Sequence, residues 1–88
     1  MSNNVNLNET SSASQKRRIL EYLKEDKGNG ITPLDALRLF GCLRLASRIN
    51  DLRYDGWNIK TELVRDAQSG KRYARYTLEQ EILLNNLF

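Results

Sequence analysis

Apolar residues recur at helical spacing in three parts of the chain and alternate with polar residues in two parts further on. The first helical pattern holds Ile19, Leu20 and Leu23, with Tyr22 beside them. It predicts a helix that begins near Ser12 or Ser14, because Ser12 with Gln15 three residues later matches a capping box. Residues 1–13 are rich in Asn and Ser and nearly uncharged, which predicts a disordered tail.

The second helical pattern has clear signals at both of its ends. Thr32 suits the N-cap, Pro33 the first helical position, and Asp35 is placed to return the cap bond. Gly41 suits the left-handed conformation that closes a helix. We expect Leu34, Leu37 and Phe40 to face the core, with Ala36 allowing close packing. Residues 27–30 form a turn before this helix, and Ile31 is a candidate for a very short strand.

The third pattern predicts a helix over residues 43–55 that ends at Gly56. Its apolar stripe consists of Leu45, Ile49 and Leu52, flanked by Ala46. The opposite face carries Ser47, Asn50, Asp51 and Tyr54, with Arg44 and Arg48 on one shoulder and Arg53 on the other. We expect Asp51 and Asp55 to pair with Arg48 or Arg44 along the helix.

Two alternating segments then predict a β-hairpin. In the first strand one face is expected to be buried, formed by Trp57, Ile59, Thr61 and Leu63. In the second strand Tyr73, Arg75 and Thr77 alternate with Ala74, Tyr76 and Leu78. Residues 65–72, here called the wing, form a loop of net charge +2 in which Gly70 supplies the tight turn.

This order of elements predicts an α+β, mainly helical fold: a winged helix-turn-helix with three helices and a two- or three-stranded hairpin wing. We divide the chain into a tail at 1–13, the domain at 14–78 and a short apolar helix at 79–88. The last segment either packs across the domain or pairs with a second copy of the chain. For dimerisation we expect it to use its apolar residues, namely Ile82, Leu83, Leu84, Leu87 and Phe88.

Charge is concentrated in the predicted domain. All 14 Lys and Arg lie in residues 14–78 with eight of the 11 acidic residues, a net of +6 that suits a polyanionic partner. With Cys42 as the single cysteine and no histidine, an intramolecular disulfide is impossible and a zinc site is not expected. We expect Cys42 to be a small buried residue. No apolar run suits a membrane span or a signal peptide, so we expect an intracellular protein in the cytoplasm of a bacterial host.

The third helix is the candidate recognition helix, because Arg pairs with guanine and Asn with adenine in the major groove. Alternatively, its polar residues simply form a solvated helix face, and the basic wing only aids solubility. The basic first turn of the first helix is likewise either a phosphate contact or a solvated helix end. The candidate DNA contacts are Arg44, Ser47, Arg48 and Asn50 on the helix, Lys71 and Arg72 in the wing, and Lys16, Arg17 and Thr32 before them.

A resemblance to a known family rests on two segments. They are Ile-Thr-Pro…Ala-Leu…Phe-Gly in residues 31–41 and Ala-Ser-Arg-Ile…Leu-Arg in residues 46–53, followed by Gly56 and Ile-Lys-Thr at 59–61. They resemble a family of small winged helix-turn-helix proteins encoded by bacteriophages and prophages. The similarity covers residues 15–78 and implies the fold and a DNA-binding role. The apolar residues from Ile82 onwards lie outside the family pattern, so the resemblance implies no oligomeric state.

The sequence holds no histidine, no phosphate-binding glycine loop and no carboxylates at metal-ligand spacing, so we expect neither an enzyme nor a cofactor. Two functions from different classes remain. One is sequence-specific binding of double-stranded DNA, as a transcription regulator or recombination accessory factor. The other is a protein-interaction module that binds or inhibits a host or partner protein, which the acidic residues of the third helix and the apolar tail favour. RNA binding by the winged helix is a weaker third.

Overall fold

The computed structural model describes residues 11–26 and 29–79. Three helices precede a two-stranded antiparallel sheet, as the sequence predicts. The bounds are α1 Ser12–Asp26, α2 Pro33–Phe40, α3 Leu45–Tyr54, β1 Ile59–Arg65 and β2 Arg72–Leu78. The winged helix-turn-helix fold is therefore confirmed. The predicted tail over residues 1–10 and the apolar helix over residues 80–88 lie outside the described residues.

Helix α1 begins at Ser12, so Ser12 and Ala13 belong to the helix and not to the predicted tail. The predicted capping residue is also wrong by one position. The Ser14 backbone N–H donates to Ser11 Oγ at 3.1 Å, so the hydroxyl of Ser11 takes the role assigned to Ser12. Ser12 is thereby left free to contact α3.

The predicted caps of α2 are confirmed. Asp35 N–H donates to Thr32 Oγ1 at 3.2 Å, and Thr32 N–H donates to Asp35 Oδ2 at 3.1 Å. Gly41 closes the helix at φ 63°, and its N–H donates to the Leu37 carbonyl at 2.9 Å. These bonds satisfy backbone groups that the ends of an eight-residue helix leave without helical partners.

The expected core face of α2 is largely wrong. Leu34 is 57% exposed and Leu37 44% exposed, whereas Ala36 is fully buried. Phe40 is half-buried against Tyr22 of α1, with the two rings edge to face at 5.9 Å between centroids. A helix of two turns buries only the narrow strip that faces its neighbour, and here that strip is centred on Ala36 and Phe40.

The stripe of α3 is confirmed, because Leu45, Ile49 and Leu52 are all buried. The helix begins at Leu45 and not at residue 43, which leaves Leu43 in the preceding turn and 81% exposed. Ala46, predicted to flank the stripe, is exposed. The buried side of α3 packs mainly on α1 within a single core formed by Ile19, Leu23, Ile31, Ala36, Cys42, Leu45, Ile49, Leu52, Ile59, Tyr76 and Leu78.

The hairpin pairs in register from Ile59 opposite Leu78 to Arg65 opposite Arg72. Ile31 adds the expected short third strand as an isolated antiparallel bridge to Tyr76. The predicted buried face of β1 is wrong beyond Ile59, because Thr61 is exposed and Leu63 is 66% exposed. Burial is confined to the base of the hairpin, where β1 and β2 contact the helices; the strands beyond it project from the core.

Candidate nucleic-acid interface

The side of α3 opposite its buried stripe is left uncovered by the rest of the described chain. Asn50 is exposed, Ser47 is half-buried, and Tyr54 at the end of the helix is 92% exposed. Leu43 stands before the first turn of the same helix. This surface, called here the outward face, offers an amide and a hydroxyl between an aliphatic and an aromatic side chain. Such groups suit hydrogen bonds to base edges and contact with thymine methyl groups.

The two arginines on the shoulder of α3 differ in their surroundings. Arg44 is the exposed N-cap residue. The side chain of Arg48 is only 14% exposed. Its Nε donates to Asp51 Oδ2 at 3.1 Å, as expected, and one terminal nitrogen donates to Ser12 Oγ at 2.8 Å. Arg48 therefore joins α3 to the start of α1, while Arg44 is open to solvent.

The three candidate residues earlier in the chain also differ in their surroundings. Lys16 Nζ lies 2.7 Å from Asp55 Oδ2, so this lysine pairs with the carboxylate that was expected to pair within α3. Arg17 is exposed on α1. Thr32 is half-buried at the start of α2, where its hydroxyl accepts the cap bond from Asp35. Of these three candidates, Arg17 has the most accessible side chain.

Arg53 connects α3 to the hairpin. Its guanidinium donates to the Ile59 carbonyl from two nitrogens, at 3.1 and 2.7 Å, and to Thr61 Oγ1 at 2.7 Å. It also lies over the ring of Tyr76, 6.0 Å from the centroid. A guanidinium with several fixed donors suits this role, which holds the base of the hairpin against α3.

The wing carries its positive charge on exposed side chains. Lys71 and Arg72 are exposed, and so is Arg65, which stands directly opposite Arg72 at the last strand pair. Like charges at facing positions disfavour a hairpin. The pair therefore concentrates positive charge at the wing without serving the stability of the sheet.

The loop of the wing is organised by Asp66. Its carboxylate accepts from the Ser69 backbone N–H at 2.8 Å, and its carbonyl accepts from Gly70 N–H at 2.8 Å. The hydrogen bond from Ser69 lowers the pKa of Asp66 below the ordinary value of 3.8. Gly70 has φ 75°, as the predicted tight turn requires. The acidic residue of the wing is thus used inside the loop, and its basic side chains point outwards.

Two ion pairs lie lower on the hairpin, towards the helices. Arg75 lies 2.9 Å from Glu62 and lowers the pKa of that carboxyl, and Lys60 lies 3.6 Å from Glu79. These exposed pairs balance one another and contribute little to stability. The net positive charge of the hairpin is therefore found at the wing.

Sequence reasoning placed Ser47 and Asn50 correctly on the outward face but missed three other residues. Leu43 could have been noticed as a large apolar residue outside the helical stripe. Arg65 was counted in the charge of the wing but was not named as a candidate contact. The connection made by Arg53 has no sequence signal, because its acceptors belong to the following strand.

Within residues 11–26 and 29–79, no three His, Cys, Asp or Glu side chains come together to hold a metal ion. No helix in those ranges combines the length and apolar character needed to cross a membrane. Cys42 is buried, as expected.

Comparison with known proteins agrees with the geometry. Residues 14–81 match a family model described as the winged helix-turn-helix domain. No curated protein and no solved structure matches the chain. The match confirms the helix-turn-helix part of the resemblance seen in the sequence, and the bacteriophage origin stays a prediction.

Proposed function

Since the chain belongs to the family of winged helix-turn-helix domains, we propose that it binds double-stranded DNA in a sequence-specific manner. The family suggests DNA binding; the specificity and the role, as a transcription regulator or a recombination accessory factor, are our proposal. One observation carries it: the outward face of α3 presents the exposed Asn50 and the half-buried Ser47 between the exposed Leu43 and Tyr54. One side of this helix completes the core through Leu45, Ile49 and Leu52, and the other side presents side chains to solvent.

The dimensions of α3 suit the major groove. Its ten residues span about 15 Å at 1.5 Å per residue, and the major groove, about 12 Å wide, admits one helix. Asn50 would read a base edge from the middle of the outward face, with Ser47 beside it. Arg44, at the start of the helix, is placed for either a guanine or a phosphate.

The wing supports the same docking. Basic residues on a hairpin beside a groove-bound helix contact the sugar-phosphate backbone or the adjacent minor groove. Lys71, Arg72 and Arg65 supply three exposed cations at this position. We assign them to affinity and not to sequence recognition, because phosphate contacts carry no sequence information directly.

The test is an unbiased selection of binding sites from random duplex DNA with the purified full chain. We expect enrichment of one sequence motif and an affinity that falls steeply with salt, as expected when basic side chains displace counterions from DNA. Competition with RNA of the same sequence should not remove the protein from the selected duplex. Failure to enrich any motif, with weak binding to all duplexes alike, would contradict sequence specificity.

A second candidate function is a protein-interaction module, and one observation favours it. A cleft of about 710 Å³ lies between the start of α2 and the wing, and it is bordered by the exposed Leu34 and by Tyr73. Exposed apolar surface next to a cleft is typical of a contact site. Charged residues of both signs also line the cleft, so we expect a protein segment bound there to depend on salt less steeply than DNA, whose binding releases counterions. Neither function needs a cofactor, and we propose no catalytic activity.

A further inference from the structure

A small cleft lies between the first turn of α1 and the turn that links α2 to α3. Its volume is about 290 Å³, and its walls are formed by Ser12, Gln15, Gly41, Leu43, Arg44 and Arg48. It opens beside the N-terminal end of α3, next to the outward face. The cleft thus lies where the DNA backbone would pass if α3 occupied the major groove.

Gln15 is the unusual residue of this cleft. It is 8% exposed, yet among the described residues its side-chain amide makes no hydrogen bond; its backbone N–H donates to the Ser11 carbonyl at 2.9 Å. The amide atoms themselves are not fully buried, so the polar end of the side chain keeps contact with solvent at the cleft while the rest of the residue is covered. The amide lines the cleft, so a ligand there could accept its N–H groups.

The other polar groups of the cleft are donors with capacity left over. Arg48 uses one nitrogen for Asp51 and another for Ser12, which leaves further N–H groups of its five. Ser12 Oγ accepts from Arg48, so its own hydroxyl proton is free to be donated. Arg44 takes part in none of the ion pairs between described residues. Since Asp51 neutralises Arg48, the cleft carries a net charge of one positive unit.

We propose that this cleft binds one phosphate of the DNA backbone. A phosphate group presents several acceptor oxygens and one negative charge, which match the donors of Gln15 and Ser12 and the charge of Arg44. The inference rests on the proposed function and adds the point at which the backbone is held. A phosphate fixed at the start of α3 sets the register of the outward face along the groove.

The first test uses the full chain with Gln15→Met, which keeps the length of the side chain and removes the amide. Because the amide has no protein partner, we expect the melting temperature to be unchanged or raised. We expect the affinity for all duplexes to fall several-fold, with no change in salt dependence, since glutamine is neutral. A lowered melting temperature with unchanged DNA affinity would assign Gln15 to the fold and overturn the proposal.

A second variant keeps the test informative if methionine packs poorly. Gln15→Glu preserves the shape and places a carboxylate near Arg44 and Arg48, so the fold should be retained at neutral pH. The same carboxylate would repel a phosphate, and we expect DNA affinity to fall further than with Gln15→Met. An affinity equal to that of the unmodified chain would contradict a phosphate in the cleft.

The contribution of the Arg44 charge is tested by the salt dependence of DNA binding. Arg44→Gln should reduce the slope of log affinity against log salt concentration by about one, as expected for one lost phosphate contact. Arg38→Gln is the matched control, because Arg38 is exposed on α2 and does not line the cleft. An equal reduction in both variants would show an effect of net charge alone and would overturn the site.

The phosphate itself is identified with a series of duplexes, each carrying one neutral methylphosphonate. For the unmodified chain one position next to the contacts of α3 should weaken binding, and Gln15→Met should lose no further affinity at that position. If Gln15→Met and the methylphosphonate lower the affinity independently of each other at every position, the phosphate is not held in the cleft. If the unmodified chain binds no DNA, the proposed function and the site both fail; if it binds and Gln15→Met binds equally well, only the site fails.

Discussion

Gly30 occupies the closest approach between the segment before α2 and strand β2. Ile31 N–H donates to the Tyr76 carbonyl at 2.8 Å, and Tyr76 N–H donates to the Ile31 carbonyl at 2.9 Å. Gly30 has φ 81°, and a Cβ added there would lie 2.7 Å from the Tyr76 carbonyl oxygen. Glycine is therefore required at position 30 for two reasons: the positive φ, and the lack of room for a Cβ atom.

Gly30→Ala should destabilise the protein more than Gly70→Ala. Both glycines have positive φ, a conformation that costs other residues about 1–2 kcal/mol. Gly70 has open space around it, so its variant should lose only that amount. Gly30→Ala also presses on backbone that cannot move without breaking the bridge from Ile31. Urea unfolding of both variants measures the difference, and equal losses would show that the bridge is not needed.

At the scale of elements, the start of α2 and its end could be predicted because caps depend on local residues. Thr32, Asp35 and Gly41 act on backbone groups within a few positions of themselves. The exposure of Leu37 and Leu63 could not be predicted from their spacing. It depends on which other element covers them, and the hairpin extends past the helices that cover its base.

The candidate site shows the same limit. The 100° step of a helix placed Ser47 and Asn50 opposite the stripe of α3. The same step could not show that Arg48 and Arg53 are also held by other elements, because these further partners are distant in the sequence or lie on a different element. Ser12 lies 36 residues before Arg48, and the carbonyl that holds Arg53 belongs to β1. The structure therefore separates arginines that hold the fold together, such as Arg48 and Arg53, from Arg44, which is open to solvent.

The outward face of α3 leads to a prediction about sequence recognition. Asn50→Ala should cost about 1–3 kcal/mol for the cognate site and relax the preference at one base pair, if the amide makes a bidentate contact with adenine. Asn58→Ala is the matched control, since Asn58 is exposed in the link between α3 and β1. Binding of selected and single-base variant duplexes would measure both effects. A loss that is the same for every duplex would assign Asn50 to the backbone.

For the wing we expect a loss of affinity without a change in sequence preference. Changing Lys71 and Arg72 together to Ala should weaken binding to all duplexes alike and lower the salt slope by about two, if each cation neutralises one phosphate. Asp66 keeps the loop closed in this variant, because it bonds to backbone groups of the loop. Affinities measured over a range of salt concentrations give the slope. A loss limited to one cognate base pair would instead show that the wing reads sequence.

At the scale of the whole molecule, the positive charge and the apolar C-terminal residues lie in different parts of the chain. The domain carries the net +6 over residues 14–78, and its exposed cations include Arg17, Arg44 and the three of the wing. The segment over residues 79–88 holds two acidic and no basic residues, and five of its ten residues are large and apolar. A partner for that segment would therefore be apolar, and a partner for the domain anionic. The two surfaces are compatible with one protein that binds DNA as a pair of copies.

We predict that the full chain is a dimer held by its apolar segment. Ile82, Leu83, Leu84, Leu87 and Phe88 place five large apolar side chains in seven residues. Each side chain left in water forgoes about 1.5–3 kcal/mol of burial, and contiguous apolar side chains usually belong to a contact surface. A two-fold dimer would also read two half-sites about one helical turn apart, so the selected DNA site should be palindromic.

Sedimentation of the full chain and of a chain ending at Glu79 tests this. We expect a dimer at tens of micromolar (a range in which moderate affinities are visible) and a folded monomer after truncation. The selected site should then shrink to one half-site, because a monomer presents a single α3. A full chain that sediments as a monomer contradicts the dimer. A truncated chain that unfolds places the segment against the core of its own domain, where it would stabilise the hairpin and helices that present α3 to DNA.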